Sequence, residues 1–180
     1  FYDFLNMKIR LIKIFICIVI LVIIGTFFLG LNKDSIYDTK GLEGSYIGNI
    51  KLDHFNKNEI ISKKNFAQKG FTLINFWASW CGPCKIEHPF LIKLNNEPSL
   101  QIIGVNFKDK KENALKFLND NGNPYDLLAK DKFGKYSINF GIYGIPESIL
   151  IDENFMILKK FIGPITEKDY IFIKKIIKDS

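Results

Sequence analysis

Two cysteines, Cys81 and Cys84, stand three residues apart in Trp80-Cys81-Gly82-Pro83-Cys84. Thiols one helical turn apart can close a disulfide or open it. The pair follows an apolar run, Phe71-Thr72-Leu73-Ile74-Asn75-Phe76-Trp77, and opens a helical pattern from Lys85 to Glu97. A strand-to-helix junction of this kind sets the first thiol beside unpaired backbone N–H groups and the positive end of a helix dipole, which stabilise a thiolate. A free cysteine with a pKa near 8.5 is only about 3 % ionised at pH 7, whereas one lowered to about 7 is half ionised. The segment therefore reads as a thiol–disulfide exchange centre. Cys81, at the helix start, is expected to be the more exposed and more acidic thiol, with Cys84 one turn in.

Other uses of a C-x-x-C pair fit less well. A zinc site needs two further ligands at matching spacing, and the chain offers only Cys17 inside an apolar run, His54 and His88. No metal is expected. Haem attachment requires His directly after the second cysteine, where Lys85 stands. A structural disulfide would leave the flanking Trp80 and the enclosed Gly82-Pro83 unexplained.

The 180 residues, 47 % hydrophobic with 17 Phe, suffice for one domain and an appendage and exclude a disordered chain. The net charge of +6 is spread as lysines, with mixed-sign stretches such as Lys108-Asp109-Lys110-Lys111-Glu112. That reads as a solvated surface, and no nucleic-acid partner is implied.

The appendage is the uncharged run Ile14 to Leu31, whose eighteen residues would make about 27 Å of helix, close to the hydrocarbon thickness of a bilayer. Lys8, Arg10 and Lys13 precede it, so the positive-inside bias puts residues 1–13 in the cytoplasm and the rest outside. No small-x-small cleavage site follows, which favours an uncleaved anchor over a signal peptide. Phe1 to Asn6, ahead of Met7, read as the remnant of an extended reading frame. Residues 32–44 read as a polar linker and residues 45–180 as the domain.

Within the domain, Tyr46 to Leu52 is a candidate edge strand and Asn58 to Gln68 a helical or irregular piece. Thr72 to Trp77 and Leu100 to Phe107 read as buried strands, with helices over Cys81 to Asn96, Lys110 to Asn121 and Lys132 to Phe140. Ser148 to Asp152 and Met156 to Ile162 form a hairpin around Asp152-Glu153-Asn154, and Glu167 to Lys178 is the last helix. The order gives an α/β fold, a mixed sheet flanked by helices.

Trp77-Ala78-Ser79-Trp80-Cys81-Gly82-Pro83-Cys84 on such a junction resembles the thioredoxin superfamily. Asn75 stands where thioredoxin itself has a buried Asp. The stretches Lys85-Ile86-Glu87-His88-Pro89, Gly104-Val105-Asn106-Phe107-Lys108-Asp109, Gly122-Asn123-Pro124-Tyr125 and Gly141-Ile142-Tyr143-Gly144-Ile145-Pro146-Glu147-Ser148 resemble its DsbE/CcmG group. That group comprises the thiol:disulfide interchange proteins of cytochrome c maturation. The resemblance, over residues 71–166, implies a thioredoxin-like sheet, a cis bond before Pro146 and a redox disulfide Cys81–Cys84. It further implies a periplasmic, inner-membrane-anchored reductase without a bound cofactor. Its partners would be apocytochrome c or a maturation thiol protein, with a membrane thiol reductase as electron donor.

The resemblance assigns Cys81, Cys84, Glu87 and Glu147 to catalysis and Trp80, Ile145 and Pro146 to substrate binding. Glu87, at i+3 from Cys84, shares its helix face and could exchange protons with the dithiol; a solvated helix charge is the plain alternative. Glu147 would bring negative charge beside the pair and raise the thiol pKa values, or simply end a strand at the surface. Trp80 reads as an apolar shield and partner contact, and His88, turned about 100° from Glu87, as a helix-face residue. Three other functions share these residues: a general periplasmic thioredoxin-like reductase, a tethered apocytochrome-binding module, and a copper carrier. The last usually brings a distal His and extra Met, whereas this chain has only two Met, one of them Met7.

Overall fold

The computed structural model describes residues 2–31, 42–48, 50–66 and 68–179, which fall into two units, Phe1–Asp38 and Thr39–Ser180. The first unit carries one helix, α1 (Tyr2–Leu31). Its segment Arg10–Phe28 is long and apolar enough to cross a membrane by length and composition. The helix begins well before the apolar run read at 14–31, because Lys and Arg are good helix formers and do not interrupt it. Most of the linker expected at 32–44 lies outside the described residues; residues 42–44 form a turn.

The second unit is built on a seven-stranded mixed sheet. Its strands are β1 (Lys51–His54), β2 (Ile60–Ser62), β3 (Phe71–Trp77), β4 (Leu100–Phe107), β5 (Leu127–Asp131), β6 (Glu147–Ile151) and β7 (Ile157–Ile162). They lie in the order β2-β1-β5-β4-β3-β6-β7. β3, β4 and β5 run parallel at the centre, while β6 and β7 on one side and β1 and β2 on the other are antiparallel. The helices are α2 (Gly82–Leu94), α3 (Lys111–Asn121), α4 (Lys135–Asn139) and α5 (Glu167–Asp179).

Strand alternation distributes the core over both faces of the sheet. Leu73 and Trp77 of β3 face Leu91 and Leu94 of α2, Leu118 of α3 and Ile173 of α5. Ile74 and Phe76 face the other way, with Ile103, Val105, Ile149 and Phe140. Asn75 therefore points to the α2 side, among the first group. The mixed sheet flanked by helices is the thioredoxin-like fold that the motifs implied, and the Ile145–Pro146 bond is cis.

Three segments differ from the sequence reading. The candidate strand at 46–52 starts later: Tyr46 makes one bridge to Met156, and pairing resumes only at Lys51. Its apolar residues Ile47 and Ile50 are nonetheless buried. The helical or irregular piece at 58–68 contains β2 and a short 3-10 turn, Lys63–Asn65. β5, unread in the sequence, pairs with β1 and β4.

Candidate active site

Cys81 is the N-cap of α2, with extended backbone, and its sulfur accepts the N–H of Cys84 at 3.2 Å. Pro83 in the first turn has no N–H to leave unpaired there. The two cysteines form a disulfide across that turn. On its other side Cys81 Sγ lies 3.7 Å from the carbonyl oxygen of Ile145, a contact that a reduced thiol can use as a donor. The expected difference in exposure is absent in this oxidised pair: Cys81 is 4 % and Cys84 3 % exposed. What distinguishes the two is position, because only the sulfur of Cys81 caps the helix.

The loop after β4 holds the residues just ahead of the pair. Asp109 accepts the Ser79 N–H at 2.6 Å and the Ser79 hydroxyl at 3.0 Å, as well as Asn106 Nδ2 at 3.1 Å and its neighbour's N–H, that of Lys110, at 2.8 Å. Lys108 adopts a left-handed φ of 43°, uncommon for a residue with a side chain, and its carbonyl accepts Trp80 Nε1–H at 3.2 Å. Trp80 is thus tethered by its polar edge while remaining 57 % exposed. It borders a groove of about 860 Å³ with Lys85, His88 and Phe117. A smaller depression of about 180 Å³ is lined by Lys108, Tyr143, Gly144 and Ile145.

Glu87 is fully buried, unlike a solvated helix charge. Its Oε1 accepts Asn75 Nδ2–H at 2.8 Å, and its Oε2 accepts the Ile165 N–H at 2.8 Å. Burial outweighs these two hydrogen bonds and pushes the carboxyl up to about 7. A group titrating there can hold or take a proton near neutral pH. Asn75 also donates to Ser148 Oγ at 3.0 Å and accepts the Tyr125 hydroxyl at 2.9 Å. Neither Asn75 nor Tyr125 had been singled out as a site residue.

Glu147 is buried too, and its charge is paired. Its Oε2 lies 2.8 Å from Lys160 Nζ, and its Oε1 accepts the N–H groups of Tyr143 and Gly144 at 3.2 and 3.0 Å. Lys160 donates also to the Gly141 carbonyl and lies over the Tyr143 ring. The pair therefore holds the loop leading to Ile145-Pro146 from inside. It is neither a surface strand end nor an isolated negative charge. Nothing in the sequence around Lys160 signals its burial.

His88 Nε2 lies 3.0 Å from the Gly122 carbonyl, which can only accept, so Nε2 carries the hydrogen. Its ring packs edge-on against Phe117, and burial lowers its pKa. It is a packed helix residue. Cys17, on α1, is a free cysteine. Among the described residues no group of three or more His, Cys, Asp or Glu is arranged to hold a metal ion.

Residues 43–171 match the Redoxin family. The thiol:disulfide interchange protein CycY of Rhizobium leguminosarum bv. viciae is 48 % identical over 95 residues, a match spanning about half of each chain (53 % of this one and 51 % of that one). The probable thiol:disulfide interchange protein DsbE-2 of Pasteurella multocida is 35 % identical over 150 residues, covering 83 % of this chain and 78 % of its own. In structure, the chain resembles a putative thiol:disulfide interchange protein DsbE from Chlorobium tepidum. That likeness has a TM-score of 0.63 and 26 % identity, and covers 76 % of this chain and 96 % of that one. With the capped Cys81–Cys84 disulfide on this fold, the chain is a thiol–disulfide oxidoreductase of the Redoxin family and belongs with its DsbE-type thiol:disulfide interchange proteins.

Proposed function

We propose that this oxidoreductase works as a reductase in cytochrome c maturation, anchored in the inner membrane by α1 with its domain in the periplasm. The observation that carries the reading is the sulfur of Cys81, capping α2 on one side and facing the Ile145 carbonyl on the other. Exposed Trp80 and Tyr143 flank that position as contacts for a polypeptide. The DsbE kinship and the basic residues Lys8, Arg10 and Lys13 ahead of the apolar span support the location.

In the reduced protein the Cys81 thiolate attacks one sulfur of a substrate disulfide, forming a mixed disulfide and expelling the other substrate sulfur as a thiolate. Cys84 then gives its proton to the Glu87 carboxylate and attacks Cys81 Sγ. The Cys81–Cys84 disulfide forms and the second substrate sulfur leaves. Two electrons have passed to the substrate, and a membrane thiol reductase would restore the dithiol. Glu147 acts with Lys160 to hold the Ile145-Pro146 loop against the incoming chain.

Cys84→Ser in cells should block the second step and leave substrates covalently attached to Cys81. Recovery of apocytochrome c, or of a thiol protein that handles it, is the expected result; a trapped set without either would overturn the assignment to cytochrome c maturation. A reporter active only in the periplasm, fused after the domain, should be active. Silence there would overturn the topology.

A further inference from the structure

Asn75 sits at the centre of a buried polar cluster whose geometry depends on which way its amide faces. Its two N–H groups go to Glu87 Oε1 and Ser148 Oγ, and its oxygen accepts the Tyr125 hydroxyl. An Asn side chain offers two donors and one acceptor oxygen, so all of its groups are used. Reversed, the amide would turn its oxygen to Glu87, an arrangement that only a protonated carboxyl tolerates. The Tyr125 hydroxyl hydrogen would then lose its acceptor in a buried setting, at a cost of about 1–3 kcal/mol.

Tyr125 is itself held in place. Its ring stacks on Trp77 with centroids 5.3 Å apart, and its N–H bonds to Asn123 Oδ1 at 3.1 Å. Gly104 pairs directly with Asn75 across β3 and β4, and a Cβ there would come within 2.7 Å of the Tyr125 ring. The bare backbone at Gly104 is what lets the ring reach over the sheet to Asn75.

We propose that Tyr125 is a positioning residue of the redox site: by donating to Asn75 Oδ1 it fixes the amide with its N–H toward Glu87 and so favours the ionised carboxylate. The effect on turnover rests on the proton-accepting role of Glu87 given above. Asn75 of β3 and the Ile165 N–H ahead of α5 bond to Glu87 directly, and Tyr125 ahead of β5 and Ser148 of β6 reach it through Asn75. Cys84 and His88 share its helix. Of these, Tyr125, Cys84 and His88 can titrate. Burial raises Tyr125 well above its usual range and lowers His88, so both stay neutral near pH 7.

The test compares the full chain in detergent micelles with Tyr125→Phe, Glu87→Gln and the double variant. The Glu87 carboxyl titration is followed by carbon NMR, and the reduction of a peptide disulfide is followed from about pH 5 to about pH 9. In Tyr125→Phe the Glu87 midpoint should rise by about one pH unit, and the rising limb of the rate profile should move with it. Adding Tyr125→Phe to Glu87→Gln should move the profile no further. An unchanged Glu87 midpoint overturns the proposal. A raised midpoint with an unmoved rate profile would uphold Tyr125 as the positioner while refuting Glu87 as proton acceptor. Should Tyr125→Phe not fold, the unaltered protein decides. Its Tyr125 hydroxyl proton must be slowly exchanging and close to the Asn75 amide, and a rapidly exchanging hydroxyl overturns the proposal.

Discussion

The backbone N–H of Cys84 points at the sulfur of Cys81, 3.2 Å away, so the proposed nucleophile is itself the cap of its helix. An ionised sulfur strengthens that bond and gains from the helix dipole, whereas Cys84 Sγ, one turn in, has no such contact among the described hydrogen bonds. With the pair reduced, iodoacetamide near neutral pH should alkylate Cys81 first. Faster labelling of Cys84 would reverse the order of attack.

Lys160 and Glu147 should be interdependent. Lys160→Met leaves a buried carboxylate without its cation, although two backbone N–H groups still reach it. Urea unfolding should show a loss on the order of 3 kcal/mol, and Lys160→Met with Glu147→Gln should recover much of it. Additive losses would mean that the pair contributes nothing as a pair.

Glu87 predicts an unusual pH dependence of stability in the oxidised protein. Its carboxyl moves from 4.5 to about 7 on folding, so between those values the folded state holds a proton that the unfolded state has released. Its contribution is therefore fully present below about pH 4.5 and is lost as the pH rises through about 7, a change of about 3 kcal/mol. The stability of the unaltered protein minus that of Glu87→Gln should fall across this window. A flat difference would show that the carboxyl titrates normally.

Asp109 should act through Trp80. With Asp109→Ala the Ser79 N–H and hydroxyl lose their acceptor, and the turn before Cys81 is no longer tied to the loop after β4. The expected cost is about 1–3 kcal/mol of stability, with slower peptide reduction and altered Trp80 fluorescence. Trp77 is buried beside Tyr125, so the spectrum should be read against Trp80→Phe. An unchanged rate and spectrum would leave Asp109 merely a loop residue.

The sequence was readable where one signal governs a segment. The apolar runs of β3 and β4, the turn between β6 and β7, and the pattern of α5 all announce themselves locally. β2 has only three residues, too few to show an alternation, and β5 ends in Lys130-Asp131 and pairs with β1 and β4, which lie far from it in the chain. The same holds for the site. Cys81 and Cys84 declare their chemistry by spacing, but Tyr125 and Asn75 meet across a separation of 50 positions. Lys160 is buried because Glu147, on the adjacent strand, neutralises it, and no periodicity reports a charge cancelled by a partner.

The near-complete burial of both sulfur-bearing residues gives the oxidised centre a further property: it is insulated. A small dissolved thiol meets cysteines that are only 4 % and 3 % exposed, whereas a protein that docks on the neighbouring Trp80 and Tyr143 side chains would arrive with its own cysteine already aligned. Electrons should then enter by contact with a shaped partner and only sluggishly from a diffusing reagent. Reduction by glutathione as fast as that of a short exposed C-x-x-C peptide would refute this. Insulation of this kind would keep the closed disulfide from being opened at random by small thiols.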